Sequence, residues 1–208
     1  MRKSVFLILI VLIMLFLITN ANAFDGKRKG FFLGGGLGPG FTSLKETITY
    51  SGLFDGESSE SSEWESKFGL MTYFKIGYAP SDIVEIHYTN KISWFGDKVY
   101  FFGDSMGEDV TMASGLSTLG MTYYFKPEAP SYFITGGIGF STLSLPFESH
   151  SEIKIGGGLF AGAGYEFARH FNVELDLIWG KPSDLALFGI GSSTNILSVA
   201  LTVNALAY

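Results

Sequence analysis

One stretch of the chain sets hydroxyls, an imidazole and carboxylates side by side, at Glu148-Ser149-His150-Ser151-Glu152. These are the residue types of a Ser/His hydrolase, in which an imidazole reaches the hydroxyl and a carboxylate orients the imidazole. Neighbours on an extended chain point to opposite sides, and the segment reads as an exposed polar connection, so no catalytic residue is assigned. A second set recurs at alternate positions: Lys75, Glu85, His87, Lys91, Glu166, Glu174 and Asp176. Charges taken out of water must be paired or hydrogen-bonded, so these three bases and four acids are expected to neutralise one another. A third set is acidic, with Glu46, Asp55, Glu57, Glu60, Glu63 and Glu65 in one stretch and Asp97, Asp104, Glu108 and Asp109 in another. Carboxylates suit divalent cations such as Ca²⁺, yet the spacing matches no EF-hand and plain solvation accounts for it. No metal site is assigned. Gly156-x-Gly158-x-x-Ala161 opens no helix, so it is no dinucleotide fingerprint, and no cofactor is expected.

The elements that must hold these groups are strands. Phe68, Leu70, Phe74, Ile76 and Tyr78 share one face, and Gly69, Met71, Tyr73, Lys75 and Gly77 the other; period two is the mark of a strand. After the turn Ala79-Pro80-Ser81-Asp82, Val84, Ile86, Tyr88, Ile92 and Trp94 oppose Glu85, His87, Thr89, Lys91 and Ser93. The same hairpin pattern returns at 117–126 with 132–141 and at 153–167 with 173–179. A Gly-rich stretch near 30–44 and a final one near 194–208 bring the count to eight. Connections alternate between short (79–82, 127–131, 168–172) and long (45–66, 96–111, 142–152, 180–193). Pro39 cannot donate to a ladder and is expected to mark a bulge or to lie beyond the apolar band. His170 is expected to face water in its turn.

Charge decides which face meets what. Only 16% of the 208 residues are charged, against roughly 25% in soluble domains. The apolar face carries no charge in any of these strands, whereas the other mixes glycines with Lys, Glu, Asp and His. An eight-stranded barrel encloses only enough space for side chains, so small residues and paired charges fit its interior. Apolar residues outside then face lipid. Aromatic residues cluster at the strand ends, with Tyr78, Phe125, Tyr132, Tyr165 and Phe167 near the short turns and Phe68, Trp94, Phe140 and Trp179 near the long loops. They read as two interfacial girdles. The fold class is all-β, an eight-stranded antiparallel up-and-down transmembrane β-barrel. Fourteen basic against 20 acidic residues give no footprint for nucleic acid. The absence of Cys removes disulfides and thiolate chemistry.

Residues 1–23 read as a secretory signal: Arg2 and Lys3, an apolar core from Val5 to Ile18, and Ala21-Asn22-Ala23 as the cleavage site. Cleavage after Ala23 leaves residues 24–208 as the barrel domain.

On GGGLFAGAGYEFARHFNVELDL (156–177) and GMTYYFKPEAPSYFITGGIGF (120–140), the chain resembles the OmpA/OmpX-like family of small outer-membrane barrels. The resemblance covers essentially all of residues 24–208. It implies an outer-membrane location, contact with outer-membrane lipids and lipopolysaccharide, and insertion by the barrel assembly machinery. Members commonly end in an aromatic residue read by that machinery, and Tyr208 looks like this assembly signal, though it sits on the more polar face. The family speaks for architecture rather than activity. The expected role is structural or interactive, namely membrane integrity or adhesion to a host or surface ligand through the long loops. The alternatives are a small gated porin-like channel, for which the lumen charges would be the gate, and a lipid A-modifying enzyme. The deacylases among such enzymes carry a His-x-Ser-Asn strand motif that this sequence lacks.

Overall fold

The computed structural model describes residues 27–50, 58–99, 108–148, 153–184 and 190–208. The nine strands are β1 (Gly30–Tyr50), β2 (Ser58–Ser61), β3 (Glu65–Ser81), β4 (Val84–Val99), β5 (Glu108–Tyr124), β6 (Ser131–Ser144), β7 (Lys154–Ala168), β8 (Phe171–Ser183) and β9 (Ile190–Ala207). From β3 onward each strand pairs antiparallel with the next, β1 pairs with β3, and β9 returns to β1. Eight strands thus close a barrel, and no helix occurs among the described residues. Closure pairs the backbone groups within the protein, which strands with an apolar outer face require. Leu37, Leu70, Ile86, Leu119, Ile138, Leu175 and Val203 point outward and are exposed, while every member of the alternating charge set points inward and is buried.

The strands run further than the hydrophobic alternation indicates. β1 continues to Tyr50, where Thr47–Tyr50 pair with both β9 and the short β2, although 45–66 reads as a loop. β4 reaches Val99 and β5 begins at Glu108, which shortens the connection expected at 96–111. Likewise β6 and β8 end at Ser144 and Ser183, and β7 and β9 begin at Lys154 and Ile190. Ser58–Ser61 is polar and exposed throughout, so period two is absent there while backbone pairing continues. At the other end the turns are short. Asp82-Ile83 joins β3 to β4 and Arg169-His170 joins β7 to β8, with His170 at φ 71°.

Pro39 makes no bulge and lies within the band. It pairs with Leu70 on β3, and towards β9 the pairs pass from Leu37↔Val203 to Gly40↔Ala200 without change of register. The missing donor is accommodated by leaving Gly38 and Pro39 out of the β1–β9 ladder. Close approach here requires glycine, because a Cβ on Gly38 would lie 2.0 Å from the Leu201 carbonyl oxygen.

The interior is not filled by small residues and charges alone. Phe32, Tyr73, Phe95, Tyr124, Phe133, Phe160 and Tyr208 all turn inward and are buried. Glycines paired with them on the neighbouring strand make room for these rings. A Cβ on Gly164 would meet Phe133 Cζ at 2.2 Å.

Candidate functional site: the layered barrel interior

Inward positions on successive strands meet in layers. Midway along the barrel, Lys91 Nζ on β4 donates to Glu174 Oε1 (2.8 Å) and Asp176 Oδ2 (2.6 Å) on β8. The ammonium also lies 4.3 Å from the Tyr73 ring centroid and 4.7 Å from that of Phe160, so its remaining faces meet ring π-systems. Nearer the short turns, Lys75 Nζ donates to Glu85 Oε2 (2.7 Å) and to Thr122 Oγ1 (2.8 Å). His87 joins this layer through hydroxyls rather than a carboxylate, with Nε2 3.1 Å from Thr122 Oγ1 and Nδ1 2.7 Å from Thr89 Oγ1. Thr135 extends the chain from Thr122 at 2.9 Å.

Glu166 finds none of the three expected bases. Its partner is Arg28, in the segment ahead of β1, whose Nε and Nη2 both donate to Oε2. Arg28 Nη1 donates to the carbonyls of Asp82 and Lys126, each at 2.8 Å, and the guanidinium stacks 3.9 Å over the Tyr124 ring. One side chain therefore ties two short turns and β7 together across the mouth. Tyr208 completes the closure: its hydroxyl donates to Glu166 Oε1 (3.1 Å), and its ring packs with Phe32, Ala79 and Leu206. His170 does not simply face water. Its Nδ1 lies 2.9 Å from the Leu206 carbonyl, and its ring centroid 5.3 Å from that of Tyr208. The positive φ of its two-residue turn folds the imidazole back under the mouth.

Towards the long connections the order changes. Met71, Leu116, Phe160, Ile178 and Ala200 form an apolar layer, and above it Thr42 bonds to Ser93 (2.7 Å) and Ser198 (2.9 Å). Phe95, Leu143 and Ile196 then close a floor, with Leu44 and Met112 packed on it. Over this floor the barrel opens into a cup of about 520 Å³. Between floor and charge layer, beside Met71, Lys91 and Ser198, only about 10 Å³ is vacant, at the lower limit for a single water. Lys154 in the cup wall donates to Glu46 (2.9 Å) and Ser192 (2.7 Å), and Ser192 donates to Glu46 (2.7 Å). The Lys154 hydrogen bond holds the Glu46 carboxyl below its ordinary value, against the opposing effect of partial burial. Lys67 bridges Asp97 (2.7 Å) and Glu65 (3.0 Å).

No protein-family model and no curated protein matches the chain. Among solved structures, the outer membrane protein OprG from Pseudomonas aeruginosa superposes with a TM-score of 0.50 at 14% identity, over 88% of this chain and 98% of that one. The chain has the fold of the small outer-membrane barrels. Neisserial surface protein A aligns at 0.46 and 12% identity over 86% and 97% of the two chains. Ail, the attachment invasion locus protein of Yersinia pestis, solved in complex with the heparin analogue sucrose octasulfate, aligns at 0.37 and 13% over 81% and 98%.

On this barrel the outward aromatics form two rings. Tyr78, Phe125, Tyr132, Tyr165 and Phe167 lie at the short-turn end, where the rings of Tyr132 and Tyr165 are tilted by 38° with centroids 4.7 Å apart. Phe68, Trp94, Phe140 and Trp179 lie towards the cup, joined by Phe41, whose ring meets that of Phe68 edge-on at 5.1 Å. Of the acidic set, Glu46, Glu65 and Asp97 line the cup, and Glu60 and Glu63 are exposed. Asp55, Glu57, Asp104, the side chains of Glu108 and Asp109, the Ser149–Glu152 part of the His150 cluster and the signal at 1–23 lie outside the described residues. Arg28 escaped the sequence reading because residues 27–29 precede any alternation. Its one sequence signal is the basic run Lys27-Arg28-Lys29 beside the first strand of a charge-poor barrel.

Proposed function

We propose that the chain is a closed, non-catalytic barrel of the outer membrane. It would sit with the short turns in the periplasm, the apolar band in the bilayer and the extended strands outside. Its role would be to anchor a surface that contacts lipopolysaccharide or an external ligand, whether for membrane integrity or adhesion. The observation that supports this reading is the stack of three buried ion-pair layers, Lys91 with Glu174 and Asp176, Lys75 with Glu85, and Arg28 with Glu166. Eight strands leave room for side chains only, and removing one partner of a buried pair strands the other charge at a cost of about 3–5 kcal/mol. A solute crossing the lumen would have to break all three layers. The plug also fixes the strands against one another, so the outer extension stands on a rigid base.

Planar-bilayer recording tests the reading. The folded protein should show no steady conductance; a steady, large conductance would overturn the plug and make the chain a small channel. Lipid A from cells with and without the protein should be identical by mass spectrometry. A change in acyl chains would overturn the non-catalytic assignment.

A further inference from the structure

The cup at the outer mouth has the attributes of a ligand site. Its volume of about 520 Å³ falls within the roughly 300–1,000 Å³ of small-molecule pockets. Seven of the eight barrel strands contribute to its wall, from Leu44 on β1 to Thr194 on β9. Its apolar lining is Leu44, Met112, Leu143 and Leu145, and Phe95 and Ile196 pack beneath Leu143. The wall is charged with one sign in excess. Lys154 is shared between Glu46 and Asp184, and Lys67 between Glu65 and Asp97. Among the described residues the lining itself carries three carboxylates, Glu46, Glu65 and Asp97, and one ammonium group, Lys154, with Lys67 and Asp184 paired to them. An apolar floor under a wall in which carboxylates outnumber ammonium groups among the described residues selects against anions and against fully hydrated ions.

We propose that the cup binds a small organic cation with an apolar body, an aryl- or alkylamine. Its hydrocarbon part lies on Leu143 and Met112 and its ammonium group meets the carboxylates of the wall. The site rests on the closed interior proposed above only for its floor.

The methionines supply the test. Met112 lines the cup, Met71 is buried in the lumen beneath it, and Met121 faces outward on the apolar band. ¹³C-methyl-methionine spectra of the folded barrel in phosphatidylcholine nanodiscs would be recorded during titration with 4-phenylbutylamine and, separately, 4-phenylbutyrate. The amine should shift Met112 saturably and leave Met71 in place, and the carboxylate should bind roughly fivefold or more weakly. Glu65→Gln removes a charge from a side chain that is 67% exposed, so folding is spared, and amine affinity should fall roughly two- to fivefold. An unmoved Met112, an equal response to amine and carboxylate, or a shift confined to Met121 through lipid partitioning would each overturn the site. Conductance and ligand binding fail separately. Steady conductance with a saturable Met112 shift defeats the plug and keeps the cup, whereas silence in both experiments defeats only the cup.

Discussion

Arg28 pairs with Glu166 across 138 positions of sequence, joining the segment ahead of the first barrel strand to the far wall of the lumen. The pair sits where two turn carbonyls, the Tyr124 ring and the Tyr208 hydroxyl converge. Both side chains are almost fully buried, at 3% and 2% exposure. A surface ion pair contributes about 0–1 kcal/mol, but a desolvated pair with its remaining donors satisfied behaves differently. Removing either partner leaves an uncompensated charge in place.

Arg28→Ala should therefore cost about 3–5 kcal/mol of folding stability, read from urea unfolding in phospholipid vesicles. Arg28→Ala combined with Glu166→Gln should cost clearly less than the two single changes added together, because the second removes the charge that the first strands. Strict additivity would mean that the two groups do not interact.

The same reasoning applies to Lys91 with a different geometry, since one ammonium serves two carboxylates on one strand. Lys91→Met should cost about 3–5 kcal/mol and leave Glu174 and Asp176 repelling each other. Lys91→Met with Glu174→Gln and Asp176→Asn should recover most of the loss. Should the triple variant remain as unstable as Lys91→Met, packing rather than charge would hold this layer.

These two layers differ in how visible they are from sequence. Lys91, Glu174 and Asp176 stand in strands whose neighbours alternate strictly, so period two alone places them on one face. Arg28 has no such context, because 27–29 has no alternation and a guanidinium reaches far from its own backbone. The inward rings of Tyr124 and Phe133 were hidden for another reason: at strand ends both faces are apolar, as in Tyr123-Tyr124-Phe125. The outer extension, Thr47 to Tyr50 with the polar Ser58 to Ser61, is held by backbone pairing and the Thr47–Ser61 hydroxyl contact, with no apolar pattern on β2 to announce it. The cup needs seven strands to meet in space, and no local pattern records that.

Acid should loosen the outer collar. The folded Glu46 carboxyl titrates below its ordinary value because of its Lys154 hydrogen bond, so the unfolded chain holds the proton more tightly. The contribution is full above the ordinary glutamate range and is lost as pH falls through the depressed folded value. Glu46 is about half exposed, so the effect is local rather than global. Amide hydrogen exchange at Lys154 and Ser192, corrected for the intrinsic rate, should speed up on acidification in the parent protein, and Glu46→Gln should abolish the pH dependence. An identical pH response in both proteins would contradict the assignment.

The compartment itself is open to a single substitution. Leu119 lies midway along β5, is 71% exposed, and belongs to a face that carries no charge between the two aromatic rings. If that face meets hydrocarbon, Leu119→Arg buries a guanidinium near the bilayer midplane and should cost about 2–4 kcal/mol, measured by urea unfolding from phosphatidylcholine vesicles. If the face met water, the same change would move an exposed leucine to a soluble residue and shift stability by no more than about 0.5 kcal/mol. Thr47→Arg, on the extension above the band, supplies the contrast and should be nearly neutral in either case. A neutral Leu119→Arg would remove the lipid-facing role from the apolar band, because the energetic argument for it depends on the medium outside rather than on any contact within the barrel.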